Sequence, residues 1–469
     1  MKAEHFDIVV LGGGSGGSNL AWDLALSGCR VAVIEDRWVG GSCPNINCLP
    51  TKNVIWSAKV AHLVQHSNNF GTIAGPAMVD MKRVRKRKRE MVETFIDGTL
   101  ERYASTRAEL ILGKGKFTGP KTILVRANDG GSRLLLADHI VINVGTRAMI
   151  PDVPGLREAG FLTNIEALEL DYVPEHLIVL GGGFVGLEFA QAFRRFGSRV
   201  SVVERGPQIA AAEDADLADE VRRIFKNEGI DVLESTRALQ VQGRSGIGVS
   251  VVVRGPSGKA VLNGTDVLIS AGRIPNTSGI GLDHAGVDID EGGYVKVNDQ
   301  LETTAAGIWA AGESSAGNPQ FTPVSYDDYR ILRENVAGGC RGRENRLIPH
   351  CLYIDPPLAR VGLSETEAKY RRIDVRIARL PMSRISRAYT IGETQGFMKA
   401  LVSATDNRIL GFAMIGPEAS EVMSVVNVAM LAEMPYPRLR DAILAHPTMS
   451  EGLNTLFSMV PSKAAVLAL

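Results

Sequence analysis

The chain has 469 residues, too many for one ordinary hydrophobic core, so three domains are expected. Apolar residues make up 45% of it and charged residues 22%, the balance of an ordinary globular protein. Basic and acidic residues are matched at 52 each, which argues against nucleic acid or an anionic membrane as the main partner.

The first residues run directly into an apolar strand, with no basic region, apolar stretch and cleavage site in succession, so no secretory signal is read there. No run of 18 apolar residues occurs, so no membrane span is expected, and the cytoplasm is the expected compartment.

Residues 7–11 (Asp-Ile-Val-Val-Leu) read as a buried parallel strand. Gly12-x-Gly14-x-x-Gly17 follows, then a helical pattern to about residue 26 and a second strand, 31–34, ending in Glu35. The first glycine makes the tight turn and the second lets a pyrophosphate approach the backbone. The third allows close helix–strand packing, and the helix N-terminus attracts the negative charge. An acid after the second strand accepts from ribose hydroxyls.

Immediately beyond lies Gly-Gly-Ser-Cys43-Pro-Asn-Ile-Asn-Cys48-Leu-Pro-Thr-Lys52. A disulfide needs its Cα atoms within about 4.4–6.8 Å, so Cys43 and Cys48 meet only if the segment folds back. Pro44, Asn45 and Asn47 are turn formers. Pro50 suits the first turn of a helix running to about His66, which puts Cys48 at a helix N-terminus, where the dipole favours a thiolate. Lys52 lies one turn further on the same face. His62 and His66 are four apart on that helix, a spacing open to metal but without a third ligand nearby. The basic run 82–89 reads as the solvated face of a further helix. The other cysteines, Cys29, Cys340 and Cys351, have no motif around them and read as bystander thiols.

The nucleotide fingerprint then repeats. Residues 176–180 form a strand, followed by Gly181-x-Gly183-x-x-Gly186, a helix to Phe196, and a strand, 200–203, ending in Glu204. First glycine to acid spans 23 positions in both copies, 12 to 35 and 181 to 204. An acid at 204 favours the free 2′-hydroxyl of NADH over the 2′-phosphate of NADPH, although Arg205 beside it keeps NADPH possible. The acidic, alanine-rich patch 210–219 reads as a solvated helix start.

In this order the motifs resemble the class-I pyridine nucleotide–disulfide oxidoreductases, flavoproteins that include lipoamide dehydrogenase, glutathione reductase and mercuric reductase. The resemblance covers essentially the whole chain. It implies an α/β fold with two Rossmann-like, doubly wound nucleotide-binding domains and an α+β dimerisation domain. The implied boundaries are 1–150 with 275–345 for FAD, 151–274 for NAD(P), and 346–469 for the interface of a homodimer. It adds Gly145 in the first return from the FAD domain, Gly272 in the exit from the NAD(P) domain, and Gly312 with Glu313 in a second FAD motif. Glu313 stands where the family usually has Asp, whose carboxylate reaches the ribityl chain. Asn47 replaces a common glycine and is expected to tolerate left-handed backbone.

The family's roles carry over as follows. Cys48 is the thiolate packed on the flavin, and Cys43 is the outer thiol that attacks the substrate. Lys52 pairs with Glu188 beside the flavin, and Phe184 sits where relatives often have a tyrosine that gates the nicotinamide pocket. His446, held by Glu451 in His-Pro-Thr-Met-Ser-Glu, is the acid–base that serves the partner subunit's disulfide. The implied activity is transfer of electrons from NADH through FAD and the cysteine pair to a small-molecule disulfide or a metal ion, with no resident metal.

Mercuric and thioredoxin reductases carry a second redox pair in the C-terminal tail, whereas the last cysteine here is Cys351. Glutathione reductases place arginines in the helix after the FAD fingerprint, where this chain has Trp22-Asp23. Lipoamide dehydrogenases usually carry a second histidine where this chain has Leu444. Gln320-Phe321, 326–330, 356–362 and 453–460 resemble mercuric-reductase-like flavoproteins without the tail, among them the reactive-chlorine-resistance copper-reductase type. Two other readings stay open: a lipoamide dehydrogenase running from dithiol to NAD, and a redox-sensing flavoprotein that acts by binding a partner through its basic helix.

Overall fold

A computed structural model describes residues 2–344 and 346–462. The last seven residues of the expected interface region, 463–469, lie outside the described ones.

The first fingerprint lies in a six-stranded sheet. Ala3–Leu11 is at its centre, parallel to Val31–Glu35 on one side and Ser132–Ile142 on the other. Glu109–Gly119 extends one edge and Ile308–Ala310 the other, both parallel, while Thr122–Ala127 bridges the long strands antiparallel. The central strand is buried on both faces, which its near-continuous Val/Ile/Leu run requires. Three helices follow in sequence: α1 (Ser15–Leu26), α2 (Cys48–Gln65) and α3 (Met81–Thr106).

The second fingerprint repeats the geometry in a four-stranded parallel sheet. Its order is Asp266–Ile269, His176–Leu180, Arg199–Val203, Asp231–Leu233. Its helices are α4 (Phe184–Phe196), which follows the glycines, and α5 (Ala215–Asn227). A three-stranded antiparallel sheet, 237–264, lies on this unit. The pair Thr146–Ala148 and Arg273–Pro275 joins it to the first unit, and α6 (Thr322–Val336) follows the return. Residues 350–415 build a five-stranded antiparallel sheet. None of the described helices is long and apolar enough to cross a membrane.

The duplication is one of hydrogen bonds as well as of spacing. Gly12 N donates to Ile34 O at 2.8 Å, and Gly181 N to Val203 O at 2.9 Å. Asn143 N donates to Leu11 O, and Ser270 N to Leu180 O. Both first glycines have positive φ, 107° and 120°. A Cβ on either would come within 2.3 Å of a carbonyl, that of Asn143 or Ser270. Only glycine makes this turn.

Two expectations about charge are corrected. The patch 210–219 is no solvated helix start, because Glu213 and Asp214 are both buried. Lys399, on the five-stranded sheet and 1% exposed, places its ammonium 2.9 Å from Asp214, 2.8 Å from Asp216 and 2.8 Å from Glu365. Burial opposes ionisation of Asp214, but Lys399 and the amides of Glu365 and Thr366 hold its carboxyl down to about 2. Among the described residues this is the one carboxylate cluster tight enough for a cation, and a lysine fills it. Lys399→Met should therefore cost about 3 kcal/mol or more of stability in chemical denaturation, because three carboxylates would lose the one buried cation they share. A cost below about 1 kcal/mol would show that water reaches the cluster.

The basic run is likewise not a plain solvated face. Lys88 is 3% exposed and paired with Glu169, which Arg89 also binds at 2.9 Å. Arg85 reaches Asp171 at 3.3 Å, and Arg87 bonds Asn53 and Ser57 on α2. One side of the run fastens α3 to its neighbours while Lys82, Arg83 and Lys86 face solvent.

Candidate active site

The two cysteines meet as expected, as free thiols. Cys43 lies in a single helical turn, Ser42–Asn45, and Cys48 is the first residue of α2. The segment folds back because the amides of Ile46 and Asn47 both donate to Ser42 O at 2.9 Å. Asn45 fixes it from within, donating to Val39 O and Gly41 O. Asn164 fixes it from outside, donating to Ile46 O and to Asn47 Oδ1. Asn47 has φ −127°, so the expected left-handed backbone is absent and its role is that contact with Asn164. Gly41 has φ +82°, and a Cβ there would lie 2.5 Å from Gly14 Cα, so the redox loop packs directly on the first fingerprint.

The thiols are hydrogen-bonded to each other, and they differ in acidity. The bond from Cys43, with help from Thr322 and Lys52, brings Cys48 down to about 6 against the effect of burial. The same bond and burial push Cys43 up. Thr322 Oγ1 lies 3.4 Å from Cys48 Sγ and is the first residue of α6. Two helix N-termini, those of α2 and α6, thus converge on one sulfur, each favouring negative charge. Thr322→Val should move the Cys48 titration up towards neutral pH, read from thiolate ultraviolet absorbance of the reduced protein. An unmoved titration would assign the acidity to Cys43 and the helices alone.

Lys52 Nζ bonds both oxygens of Glu188, at 2.9 and 2.8 Å, one helical turn from Cys48. Glu188 is buried on α4 and also accepts from Tyr353 N at 2.9 Å, while the Tyr353 ring lies 4.8 Å beneath the ammonium. Cys351 is two residues from Tyr353, and burial pushes its thiol up to about 12, so it stays protonated and inert.

Glu35 and Glu204 occupy equivalent positions. Glu35 accepts from the amides of Gly13, Arg37 and Trp38, and Glu204 from those of Gly182 and Gly206. Neither N-cap glycine, Gly14 or Gly183, makes a side-chain cap bond; Gly16 N in the first turn of α1 donates to Ser325 Oγ at 3.1 Å, and a Cβ at Gly183 would meet nothing within 4 Å. Each leaves amides free for a pyrophosphate, so the residues present fit two dinucleotides. Gly145, Gly272 and Gly312 all have positive φ and sit at the hairpin and turn between the units. Glu313 bonds the Thr146 hydroxyl and lies 3.3 Å from Arg273 Nη2.

His446 Nδ1 lies 2.8 Å from Glu451 Oε2, and the imidazole is 72% exposed. Among the described residues no hydrogen bond joins this pair to Cys43 or Cys48 of the same chain. The His62 and His66 rings lie 4.2 Å apart, with burial pushing His62 down to about 4, and no third metal-binding group joins them among the described residues.

Two family models match: pyridine nucleotide-disulphide oxidoreductase over residues 6–328, and the dimerisation domain of the same family over 348–457. The chain belongs to the pyridine nucleotide-disulphide oxidoreductases. The family is FAD-dependent and works with NAD(P)H, and the dimerisation domain supports a homodimer. This oxidoreductase is 34% identical to the probable pyridine nucleotide-disulfide oxidoreductase RclA of Escherichia coli K12, over 97% of the chain and 100% of the relative. It is 32% identical to a dihydrolipoyl dehydrogenase of Zymomonas mobilis, over 96% and 97%. It is 30% identical to a mercuric reductase of Acidithiobacillus ferrooxidans, over 96% of the chain and 82% of the relative. The solved Cu(II) complex of the HOCl-induced flavoprotein disulfide reductase RclA superposes with a TM-score of 0.88 at 33% identity, covering 98% of this chain and all of that one.

Thr322, Asn164 and Tyr353 were not foreseen from the sequence. Thr-Pro is a helix-start signal that marks 322 as an N-terminus, but nothing local says which sulfur that terminus meets. Asn164 and Tyr353 act across more than a hundred residues of chain and leave no local trace.

Proposed function

We propose that this oxidoreductase takes a hydride from NADH and delivers two electrons, through Cys43 and Cys48, to a small-molecule disulfide or a metal ion. The observation that carries this is the folded-back loop that sets Cys43 beside Cys48 at two helix N-termini, one helical turn from the Lys52–Glu188 pair. In this reading residues 1–150 and 275–345 hold FAD, 151–274 hold NAD(P)H, and 346–469 form the dimer interface. Gly12, Gly14, Gly17 and Glu35 would hold the FAD dinucleotide, with Gly145, Gly312 and Glu313 at the turns behind it. Gly181, Gly183, Gly186 and Glu204 would hold NADH, with Phe184 as the gate and Gly272 at the exit. Bound FAD supplies the two-electron carrier between NADH and the thiols.

The protein's own steps are thiol–disulfide exchange. The Cys43 thiol loses its proton to His446 of the partner subunit, and its sulfur attacks a substrate sulfur. The first substrate thiolate leaves and is protonated by that histidine. Cys48 then attacks Cys43, the second substrate thiolate leaves, and the Cys43–Cys48 disulfide closes. Two electrons from NADH restore the dithiol. Run backwards, the same groups oxidise a dithiol and make NADH. Five cysteines are too few for a secreted disulfide scaffold, which suits the cytoplasm.

The test is anaerobic NADH consumption by the purified dimer, with lipoamide and copper(II) side by side. Cysteine-dependent metal reduction without lipoamide turnover supports a metal ion as the acceptor, and fast Cys43-dependent lipoamide turnover makes the chain a lipoamide dehydrogenase instead. For cofactor choice, Glu204→Ala should narrow the kcat/KM preference for NADH over NADPH about tenfold or more, the size of a charged hydrogen bond. An unchanged ratio removes Glu204 from that role.

A further inference from the structure

Three rings from distant parts of the chain meet beside the second fingerprint. Phe184 is the first residue of α4, Phe321 caps α6, and His350 begins the strand His350–Leu352. His350 lies flat on Phe321, with centroids 5.3 Å and planes 9° apart. Phe184 tilts against both, 5.9 Å from His350 and 6.3 Å from Phe321. From its outer edge His350 is fixed by Glu213, Nε2 to Oε1 at 2.9 Å, and that carboxylate is wholly buried. Its other oxygen lies 3.0 Å from Arg360 Nε, and Arg360 reaches on to Glu367. A ring stacked on one face and hydrogen-bonded at its edge has little freedom to turn.

We propose that His350 is a positioning residue for the nicotinamide site: it forms the seat of Phe184, and Glu213 holds that seat in place. The proposal rests on the reading of Phe184 as the gate. In that reading nicotinamide reaches its place only when the ring leaves the seat. Each contact that holds the ring is lost on opening, so the seat raises the NADH concentration needed for half-saturation. The ring moves by a side-chain rotation, because the backbone of α4 is fixed to Tyr353 and Lys52 through Glu188. The link ties the five-stranded sheet to NADH binding, since His350 and Arg360 both belong to that sheet.

The test uses the holoenzyme with His350→Ala, His350→Leu, His350→Phe, Phe184→Ala and the double variant His350→Ala/Phe184→Ala. Readouts are KM and kcat for NADH at saturating acceptor, and the dissociation constant of NAD from flavin absorbance without turnover. His350→Ala should lower both the KM and the dissociation constant about three- to tenfold, the scale of one aromatic contact, with no matching rise in kcat. His350→Leu fills the space without a ring, should behave alike, and carries the test if the alanine variant does not fold. His350→Phe keeps the stack but loses the bond to Glu213, so its values should fall between those of wild type and His350→Ala, a graded recovery that a purely structural role would not require. Adding His350→Ala to Phe184→Ala should change nothing further. If Phe184→Ala shifts NADH binding and the alanine and leucine variants at 350 do not, the seat is refuted and the gate stands. If Phe184→Ala itself shifts nothing, the gate reading fails and the seat with it.

Discussion

Cys43→Ser is expected to lower turnover of a disulfide substrate by about three orders of magnitude or more while reduction of bound flavin by NADH stays within about threefold of wild type. In the proposed cycle the two half-reactions use different sulfurs. Cys48 is the residue at the two helix N-termini, beside Lys52, and it remains in place. In that cycle only the outer sulfur, Cys43, forms the mixed disulfide, and serine oxygen is a far weaker nucleophile towards sulfur. Stopped-flow flavin reduction and steady-state disulfide turnover, measured on one preparation, decide the matter. Retained disulfide turnover would remove Cys43 from the outer-thiol role.

His446→Ala should cost about 10²- to 10⁴-fold in the same turnover, the usual worth of a positioned acid–base. The acidity of the pair explains why a base is needed at all. While Cys48 holds the negative charge, Cys43 is pushed up and keeps its proton at neutral pH. Without the imidazole the proton must leave to solvent, so the residual rate should climb with pH, since the Cys43 thiolate fraction grows as pH approaches its raised pKa. Glu451→Gln should lose less, because the imidazole stays and only its orienting carboxylate is neutralised. Mixing Cys43→Ser chains with His446→Ala chains separates same-chain from cross-chain catalysis. A cross-chain site leaves one intact centre in each heterodimer and restores activity; a same-chain site restores none.

Much of this architecture was legible because it is local. A glycine turn, a parallel strand and a capping helix lie within about thirty residues, and the two copies could be laid over each other before any coordinates. The redox loop was legible for the same reason, with Cys43, Pro44, Asn45 and Cys48 contiguous. The same reading failed at charges. Asp214 and Lys88 look like surface residues in a linear string, and each is buried because its partner lies far away in sequence, Lys399 for one and Glu169 for the other. Composition reports that cations and anions balance. It does not report which of them meet. Thr322 escaped for the converse reason: an ordinary helix start becomes a thiolate ligand only when the fold brings it to Cys48.

The ties between the unit of the second fingerprint and the region of the five-stranded sheet carry a consequence for recombination. Glu188 receives Tyr353 N, Arg195 binds Asp355 at 2.5 Å, Glu213 binds His350 and Arg360, and Asp214 binds Lys399. The sheet-side partners crowd into residues 350–360, with Lys399 beyond. A chimera that exchanges only residues 151–274 with a relative would strand buried charges on both sides of the seam. The heritable module is therefore larger than the nucleotide-binding unit: it includes the strip 350–367 and Lys399, and shuffling experiments should find viable crossovers only where those travel together.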